Sequence, residues 1–283
     1  MRPDTRFVEK SKQFWACVRT ISQLVGYTDR GKGSIKVPSV AAIRDAFEKL
    51  SLNAHEIVDD SGVPTTLAID LHDYFEHRAG VLNGFVQPRL MTLKKAKAAF
   101  KRIHAARPHM CPMPQNKQKG EKKAVAYLTA ITNMLIEENL GALKCNFDPR
   151  VLTTVTTTGG SPLRTLSRRV DGAFPGAVNP VAVWEIKEYY YTTTFGSRVA
   201  DGVYETLLDG MELEELFHSE RIKVHHYLIL DDYYTWWKCG RSYLCRVIDM
   251  LHMGYVDEVL FGSEVIEEMP RIVREWVRLH QAL

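Results

Sequence analysis

The sequence lacks the features of several large protein classes. No apolar run approaches the roughly 20 residues of a membrane-spanning helix, and no apolar stretch follows the first basic residues as in a signal peptide. The 5 cysteines are odd in number, scattered and without a CxxC pair, which indicates reduced thiols. The GxxxxGK(S/T) motif of nucleotide-driven motors is also missing. We therefore expect a cytoplasmic protein with no membrane partner.

The charge is distributed unevenly along an otherwise ordinary globular composition. The chain has 283 residues, of which 45% are hydrophobic and 25% are charged, with a net charge of +3. Residues 89–123 nevertheless contain 11 Lys or Arg and a single acid, Glu121. Such a local excess of positive charge suits a polyanion such as nucleic acid. A solvated helix face followed by a flexible linker is the alternative interpretation.

The N-terminal third has mainly helical patterns. Apolar spacing predicts helices over 7–25, over 39–50 with Ser39 as the N-cap, over 67–77, and over the strongly basic stretch 93–106. Three prolines in 107–119 favour a linker. We therefore predict a mostly helical region, 1–115, that holds DNA or selects the target, and a second domain, 116–283.

The second domain has an alternating pattern that predicts an α/β fold. The expected order is helix, three strands, helix and strand, with a central mixed sheet flanked by helices. The corresponding stretches are a helix over 121–140, strands over 151–158, 164–174 and 181–191, a helix that begins at Ser197, and a strand over 222–230.

Three residues in the predicted strands carry the most specific chemical signal. Glu185 and Lys187 alternate with apolar residues and so share one face of their strand. If this strand forms a hairpin with the preceding one, Asp171 comes beside Glu185. Two close carboxylates repel each other unless a cation lies between them, and Mg²⁺ prefers oxygen ligands of this kind. A surface salt bridge on an ordinary strand is the alternative.

In the order of these elements and in Asp171, Glu185 and Lys187, the chain resembles the PD-(D/E)xK nuclease superfamily. Val170 stands where the name of the motif has proline. The resemblance covers about 121–232 and implies a restriction-endonuclease-like core that hydrolyses phosphodiester bonds of DNA with Mg²⁺, for which Mn²⁺ is expected to substitute. It assigns Asp171 and Glu185 as metal ligands and Lys187 as the residue that orients or helps to deprotonate the attacking water, or neutralises the scissile phosphate.

Members of this superfamily often add an acid from the first core helix. Glu121 and Glu138 both fall on the apolar stripe of the helix predicted over 121–140. They are too far apart along a helix for both to reach one ion. We expect Glu121 to be the fourth catalytic residue, with Glu138 as the alternative, and a solvated glutamate at the helix start as the structural interpretation.

The basic residues outside this motif are candidates for DNA contacts, with a solvated surface as the alternative. The candidates are Arg30, Lys32, Lys36, Lys94, Lys95, Lys97, Lys101, Arg102 and Arg198. In the linker, His104, His109 and Cys111 fit no zinc-binding spacing, so we expect no metal site there.

These observations together predict a metal-dependent endonuclease of double-stranded DNA. Our first hypothesis is a type II restriction endonuclease that acts as a homodimer on a palindromic site. The alternatives are a nuclease of low specificity that serves repair, recombination or phage defence with partner proteins, and a nuclease-like protein that binds nucleic acid without hydrolysis. A mixed α/β domain without an active site is the simplest interpretation.

Overall fold

The computed structural model describes residues 1–29, 33–118, 121–191 and 196–282. The N-terminal region is helical, as predicted. A 3₁₀ turn at Ala54–Glu56 and a π turn at Leu82–Val86 interrupt its helices. The helices are α1 (Thr5–Val8), α2 (Lys12–Val25), α3 (Val40–Lys49), α4 (Thr66–Val81), α5 (Gln87–Arg89) and α6 (Leu93–Ala106).

Side-chain caps explain where several of these helices begin. The hydroxyls of Ser39, Thr65 and Thr92 accept hydrogen bonds from backbone N–H groups one turn into α3, α4 and α6. The helix predicted over 7–25 is instead two helices, because Ser11 starts α2 by accepting from the Phe14 N–H. The basic helix has the predicted bounds.

The C-terminal part combines strands and helices, with a π-helical segment at Tyr233–Cys239. Its elements are β1 (Gln115–Gln118), β2 (Glu121–Val125), α7 (Tyr127–Leu140), β3 (Thr154–Thr156), β4 (Pro162–Thr165), β5 (Gly172–Phe174), β6 (Ala182–Glu188), α8 (Ser197–Glu220), β7 (His225–Asp231), α9 (Arg241–His252), β8 (Glu258–Phe261) and α10 (Glu264–Gln281).

Within the described ranges, the main sheet has the strand order β5-β6-β7-β8. Strand β5 pairs antiparallel with β6, whereas β6, β7 and β8 are mutually parallel. Helix α8 makes the crossover between β6 and β7 that a parallel pair requires. The predicted α/β class with a mixed sheet flanked by helices is therefore confirmed. In the described part of the chain, no helix has the length and apolarity to cross a bilayer.

Two predicted elements differ in the structure. The helix expected over 121–140 begins only at Tyr127, and Glu121 lies in β2, which forms a hairpin with β1. This contradicts the prediction that Glu121 lies in the first core helix. The reason is tertiary: Glu188 of β6 accepts hydrogen bonds from the first N–H groups of α7, including that of Thr129, and so fixes the start of the helix.

The single strand expected over 164–174 is also divided. Strand β4 pairs with β3 in a separate two-stranded sheet, and β5 joins the main sheet. Between them the backbone turns toward α8, where Ser167 donates from its N–H and its hydroxyl to Glu212. The linker predicted over 107–119 likewise ends in a strand, β1.

The face of the main sheet toward α10 is built on stacked indoles. The rings of Trp184 and Trp276 lie 5.2 Å apart and nearly parallel, and both are fully buried. The Trp184 ring crosses the backbone of Gly172 on the neighbouring strand. A Cβ at Gly172 would lie 2.0 Å from that ring, so only glycine fits there.

We expect Gly172→Ala to lower the free energy of unfolding by about 1–3 kcal/mol or more, because the methyl group overpacks the indole. Gly176→Ala is the matched control, since a Cβ there meets nothing within 4 Å. Urea unfolding followed by tryptophan fluorescence measures both variants. Equal midpoints for the two variants would contradict the close approach at Gly172.

Candidate functional site

The candidate site lies on the face of β6 opposite the stacked indoles. As predicted, Glu185 and Lys187 lie on one face of the strand, and Trp184 lies on the other. The two charged side chains point toward α8. The Glu185 side chain is 0% exposed, and that of Lys187 is 10% exposed. Both charged groups are therefore buried, which requires the surrounding residues to balance their charge.

The structure brings Asp171 beside Glu185. Asp171 directly precedes β5, and its backbone N–H donates to Glu185 Oε1 over 3.2 Å. In return, Asp171 Oδ2 accepts from the N–H of Ile186 over 2.8 Å. The hairpin inferred from the sequence thus positions both carboxylates at one end of the β5–β6 pair. These backbone bonds hold the Asp171 carboxyl in a fixed orientation at the strand end.

Lys187 joins the sheet to the crossover helix. Its Nζ donates to Glu185 Oε2 over 2.8 Å and to Glu205 Oε2 on α8 over 2.9 Å. Burial alone would lower the pKa of Lys187, but the carboxylates of Glu185 and Asp171 outweigh burial and raise that pKa. Lys187 is therefore a permanently charged ammonium at neutral pH.

Three residues that sequence reasoning missed complete the cluster. The Arg168 guanidinium contacts Glu185 Oε1 over 2.9 Å and Asp209 Oδ2 over 2.6 Å, and it reaches Glu205 over 3.4 Å. One signal was present in the sequence: Glu205 and Asp209 are four residues apart and so share a face of α8. Arg168 had no such signal, because its position depends on the break between β4 and β5.

A glycine lets α8 approach the strand closely. A Cβ at Gly202 would lie 3.1 Å from the Lys187 side chain and 2.9 Å from the hydroxyl of Tyr189. Thr206 and Asp209 follow on the same buried side of the helix. The glycine therefore explains how a helix carrying two acids can pack directly over the charged face of β6.

The cluster carries more negative than positive charge, with four carboxylates and two cations. Burial of the carboxyl and the neighbouring Glu185 carboxylate raise the pKa of Asp171 to about 6, although the residue as a whole is exposed. Burial and the same carboxylate raise the pKa of Asp209 to about 7. Arg168 and Lys187 instead lower the pKa of Glu185 against the effect of burial.

This cluster offers oxygen donors of the kind that Mg²⁺ binds. The excess of carboxylates leaves Asp171 and Asp209 undercompensated, and Asp209 Oδ1 is buried without a hydrogen-bond partner in the described part of the chain. Oxygen donors with an excess of negative charge are what this ion prefers. Asp171 and Glu185 would hold it. The Glu185 oxygens already accept from Arg168, Lys187 and Asp171, so a cation would compete with Arg168 for this carboxylate.

The alternative helix acid is engaged elsewhere. Glu138 on α7 pairs with Arg107 over 3.0 Å. For Glu121, the structure describes the backbone in β2 and nothing of the side chain. The acids that α-helices bring to this cluster, Glu205 and Asp209, come from α8.

The predicted DNA-contacting residues that the structure describes lie in three different settings. Arg30 and Lys32 lie outside the described residues, and Lys36 donates to the carbonyl of Val25 over 2.8 Å. Arg198 is exposed in the first turn of α8, where its carbonyl accepts from the Tyr189 hydroxyl. The exposed basic residues of α6 are Lys94, Lys95, Lys97, Lys101 and Arg102.

A cleft between α2, α8 and α9 has arginines beside apolar residues and one acid, Asp249. It has a volume of about 510 Å³ and is lined by Arg19, Tyr27, Tyr204 and Arg246, among others. The Arg246 guanidinium lies 5.1 Å from the ring centre of Tyr27 and 5.9 Å from that of Tyr204. Helix α8 thus contributes to this cleft with one face and to the carboxylate cluster with another.

The fold and site define an α/β protein with a mixed sheet and a partly buried cluster of acids and cations at one strand. Residues 91–276 match the family model described as "Domain of unknown function (DUF7687)", and residues 1–85 match "Domain of unknown function (DUF7690)". The first match spans more than half of the sequence, so the chain belongs to the DUF7687 family. Among curated proteins and solved structures, nothing matches.

The raised pKa values predict a pH-dependent stability. Free aspartate has a pKa of about 3.9, so between roughly pH 4 and 7 the folded chain retains protons that the unfolded chain has released. These two carboxyls therefore lower the free energy of unfolding as the pH rises through that range. The Asp209→Asn variant lacks the contribution of Asp209 to this decrease. Its free energy of unfolding should therefore rise relative to that of wild type between pH 5 and pH 8.

Thermal unfolding at several pH values measures this difference without added metal. Asp45→Asn is the control, because Asp45 is exposed on α3 and carries the same charge. If the difference in stability between Asp209→Asn and wild type stays constant with pH, the raised pKa of Asp209 is refuted.

Proposed function

We propose that this chain is a Mg²⁺-dependent DNA endonuclease with a restriction-endonuclease-like core of the PD-(D/E)xK type. The observation that carries the proposal is the approach of Asp171 to Glu185, with Lys187 bonded to the same carboxylate. A structural salt bridge needs one acid and one base. Beyond the Glu185–Lys187 pair, this cluster adds three further carboxylates and only one further cation, Arg168, and this excess of negative charge supports a cation site.

The local topology supports the proposal. The Asp precedes the strand β5, the Glu and Lys lie on its antiparallel neighbour β6, and the helix α8 leads to the parallel strand β7. This is the order that the resemblance implies from the second core strand onward. The pairing of β3 and β4 in a separate sheet is a departure, and the expected first core strand is therefore displaced.

Each residue of the triad has a role that follows from its contacts. Asp171 and Glu185 would hold the Mg²⁺, which supplies an activated water and stabilises charge on the phosphorus centre. Lys187 is positioned by Glu185 and Glu205 as an ammonium that neutralises the scissile phosphate or orients the attacking water.

Arg168, Glu205 and Asp209 act as positioning residues. Arg168 bridges Glu185 on β6 and Asp209 on α8, and Glu205 holds the Lys187 ammonium from the helix side. When a cation binds Glu185, Arg168 retains two other carboxylates, so its charge stays compensated. The network thus keeps the ammonium oriented in the presence or absence of the ion.

The exposed basic face of α6 and the arginine-lined cleft are the surfaces proposed to hold DNA. On α6, Lys94, Lys97 and Lys101 recur at the i, i+3 and i+7 positions of one helical face. We propose that a homodimer presents two active sites to both strands, as in a type II restriction endonuclease. The low-specificity nuclease and the non-hydrolysing binding protein are the alternatives, which the digestion experiment separates.

We expect wild-type protein to cut DNA only with Mg²⁺ or Mn²⁺. Lys187→Ala and Asp171→Asn should reduce the rate on the order of 10²–10³-fold, since each removes a charge needed in the transition state. Gel analysis of several unrelated plasmids measures the rate. Lys49→Ala and Asp45→Asn are matched controls on exposed positions of α3 and should cut normally.

Discrete bands would support a specific endonuclease, and a smear would favour one of low specificity. DNA binding without any cleavage by wild type in either metal would exclude the enzymatic proposal. Equal cutting by wild type and Lys187→Ala would exclude this site. Light scattering of the same samples tests the homodimer.

The DNA-holding role of α6 has its own test. The triple variant with Lys94, Lys97 and Lys101 changed to Ala should weaken DNA binding. It should also reduce the slope of log K against log salt by about 0.9 for each lost phosphate contact. Fluorescence anisotropy at several KCl concentrations measures this slope. The triple variant of Lys12, Lys49 and Lys144, exposed lysines elsewhere, is the equal-charge control. Identical slopes for the two variants would argue against α6.

A further inference from the structure

A second cluster of metal-binding side chains lies at the proline-rich segment between α6 and β1. His109 and Cys111 are two residues apart in this segment, and Glu137 comes from α7. One donor atom from each residue lies within 4.8 Å of the other two. The sequence predicted no metal site here, because the spacing of the histidines and Cys111 fits no zinc pattern. Glu137 is distant in sequence and completes the set only in the folded chain.

The distances are close to those of a coordinated ion. Donor atoms around a tetrahedral zinc lie about 3.3–3.8 Å apart, given bond lengths of about 2.0–2.3 Å. His109 Nδ1 and Glu137 Oε2 are already 3.1 Å apart. A side-chain movement of about 1 Å would bring the most distant pair into this range.

The histidine ring is only partly satisfied by the protein. The His109 side chain is 0% exposed, and its Nε2 is buried without a hydrogen-bond partner in the described part of the chain. Buried polar atoms without partners are rare in folded proteins and need an explanation. The nitrogen that faces the cluster is Nδ1, which is hydrogen-bonded to Glu137 and would exchange this bond for a bond to the metal ion.

The loop itself is built to hold these groups in place. The Met110 N–H donates to Glu137 Oε1 over 2.9 Å, and the Asn133 amide donates to the carbonyl of Pro112 over 2.9 Å. Both bonds attach the segment to α7 on either side of Cys111. Two of the three ligands are thereby fixed against the helix that carries the third.

We propose that His109, Cys111 and Glu137 form a binding site for Zn²⁺ that is separate from the carboxylate cluster. One nitrogen, one sulfur and one oxygen donor match this borderline ion and not Mg²⁺, which binds oxygen. On binding, the Cys111 thiol forms the sulfur–metal bond and releases its proton to solvent. Three protein ligands leave a fourth position for water.

The ion would fasten the connection between the helical N-terminal region and the α/β part. The same helix, α7, presents Thr129 to Glu188, the neighbour of Lys187. Zn²⁺ at this site would therefore stabilise the start of the α/β part without contacting the proposed catalytic residues.

Cobalt is the probe that distinguishes this site. Full-length protein, stripped with a chelator, is titrated with Co²⁺, and the thiolate-to-cobalt absorption and the visible bands of tetrahedral cobalt are recorded. We expect both signals to saturate at one Co²⁺ per chain and to disappear when Zn²⁺ displaces it, since Co²⁺ at the all-oxygen carboxylate cluster gives no thiolate absorption. Cys111→Ser should lose the thiolate signal, and Glu137→Gln should bind at least about tenfold more weakly.

Cys145→Ser is the matched control, because the Cys145 thiol donates to the carbonyl of Ala173 instead. This variant and Lys187→Ala should bind Co²⁺ as wild type does. Absence of the thiolate signal in wild type would overturn the proposal even if a variant failed to fold. A signal that survives in Cys111→Ser and disappears in Cys145→Ser would also overturn it.

Discussion

The buried carboxylate of Glu185 is the constraint on which this part of the structure depends. A carboxylate that is 0% exposed is costly unless each oxygen is compensated, and Arg168, Lys187 and the Asp171 N–H provide that compensation. These partners come from β6 itself and from the segment before β5. Arg168 and Lys187 also form ion pairs with acids of α8, so this helix is bonded to the same cluster. One buried charge thus determines how the hairpin and the crossover helix meet.

The two faces of β6 have different roles: one packs in the apolar core, and the other carries the charged cluster. On one face, Trp184 stacks on α10 and needs Gly172 beneath its ring. On the other face, Lys187 needs Gly202 on α8. In both cases a residue without a side chain permits a large neighbour to approach. The apolar face supplies the burial that stabilises the sheet, and this rigid support holds the charged face in place.

The two candidate metal sites differ in donor chemistry as well as in place. The cluster at β6 offers oxygen donors with an excess of negative charge, whereas the proline-rich segment offers mixed nitrogen, sulfur and oxygen donors. Helix α7 carries Glu137 in its later part, and its start is capped by Glu188, the neighbour of Lys187 on β6. The carboxylate of Glu188 is buried there, and burial raises its pKa to about 7.

The sequence by itself determined the local patterns: the N-cap at Ser39, the bounds of α6, and the alternation that puts Glu185 and Lys187 on one face, all of which depend on neighbours within a few residues of each other. It also predicted the approach of Asp171 to Glu185, because the connection between the two strands is short. Only the tertiary structure decided the start of α7, the break between β4 and β5, and the recruitment of Arg168, Asp209 and Glu137. Each of these depends on a hydrogen bond or ion pair to a residue distant in sequence, whose position no local propensity specifies.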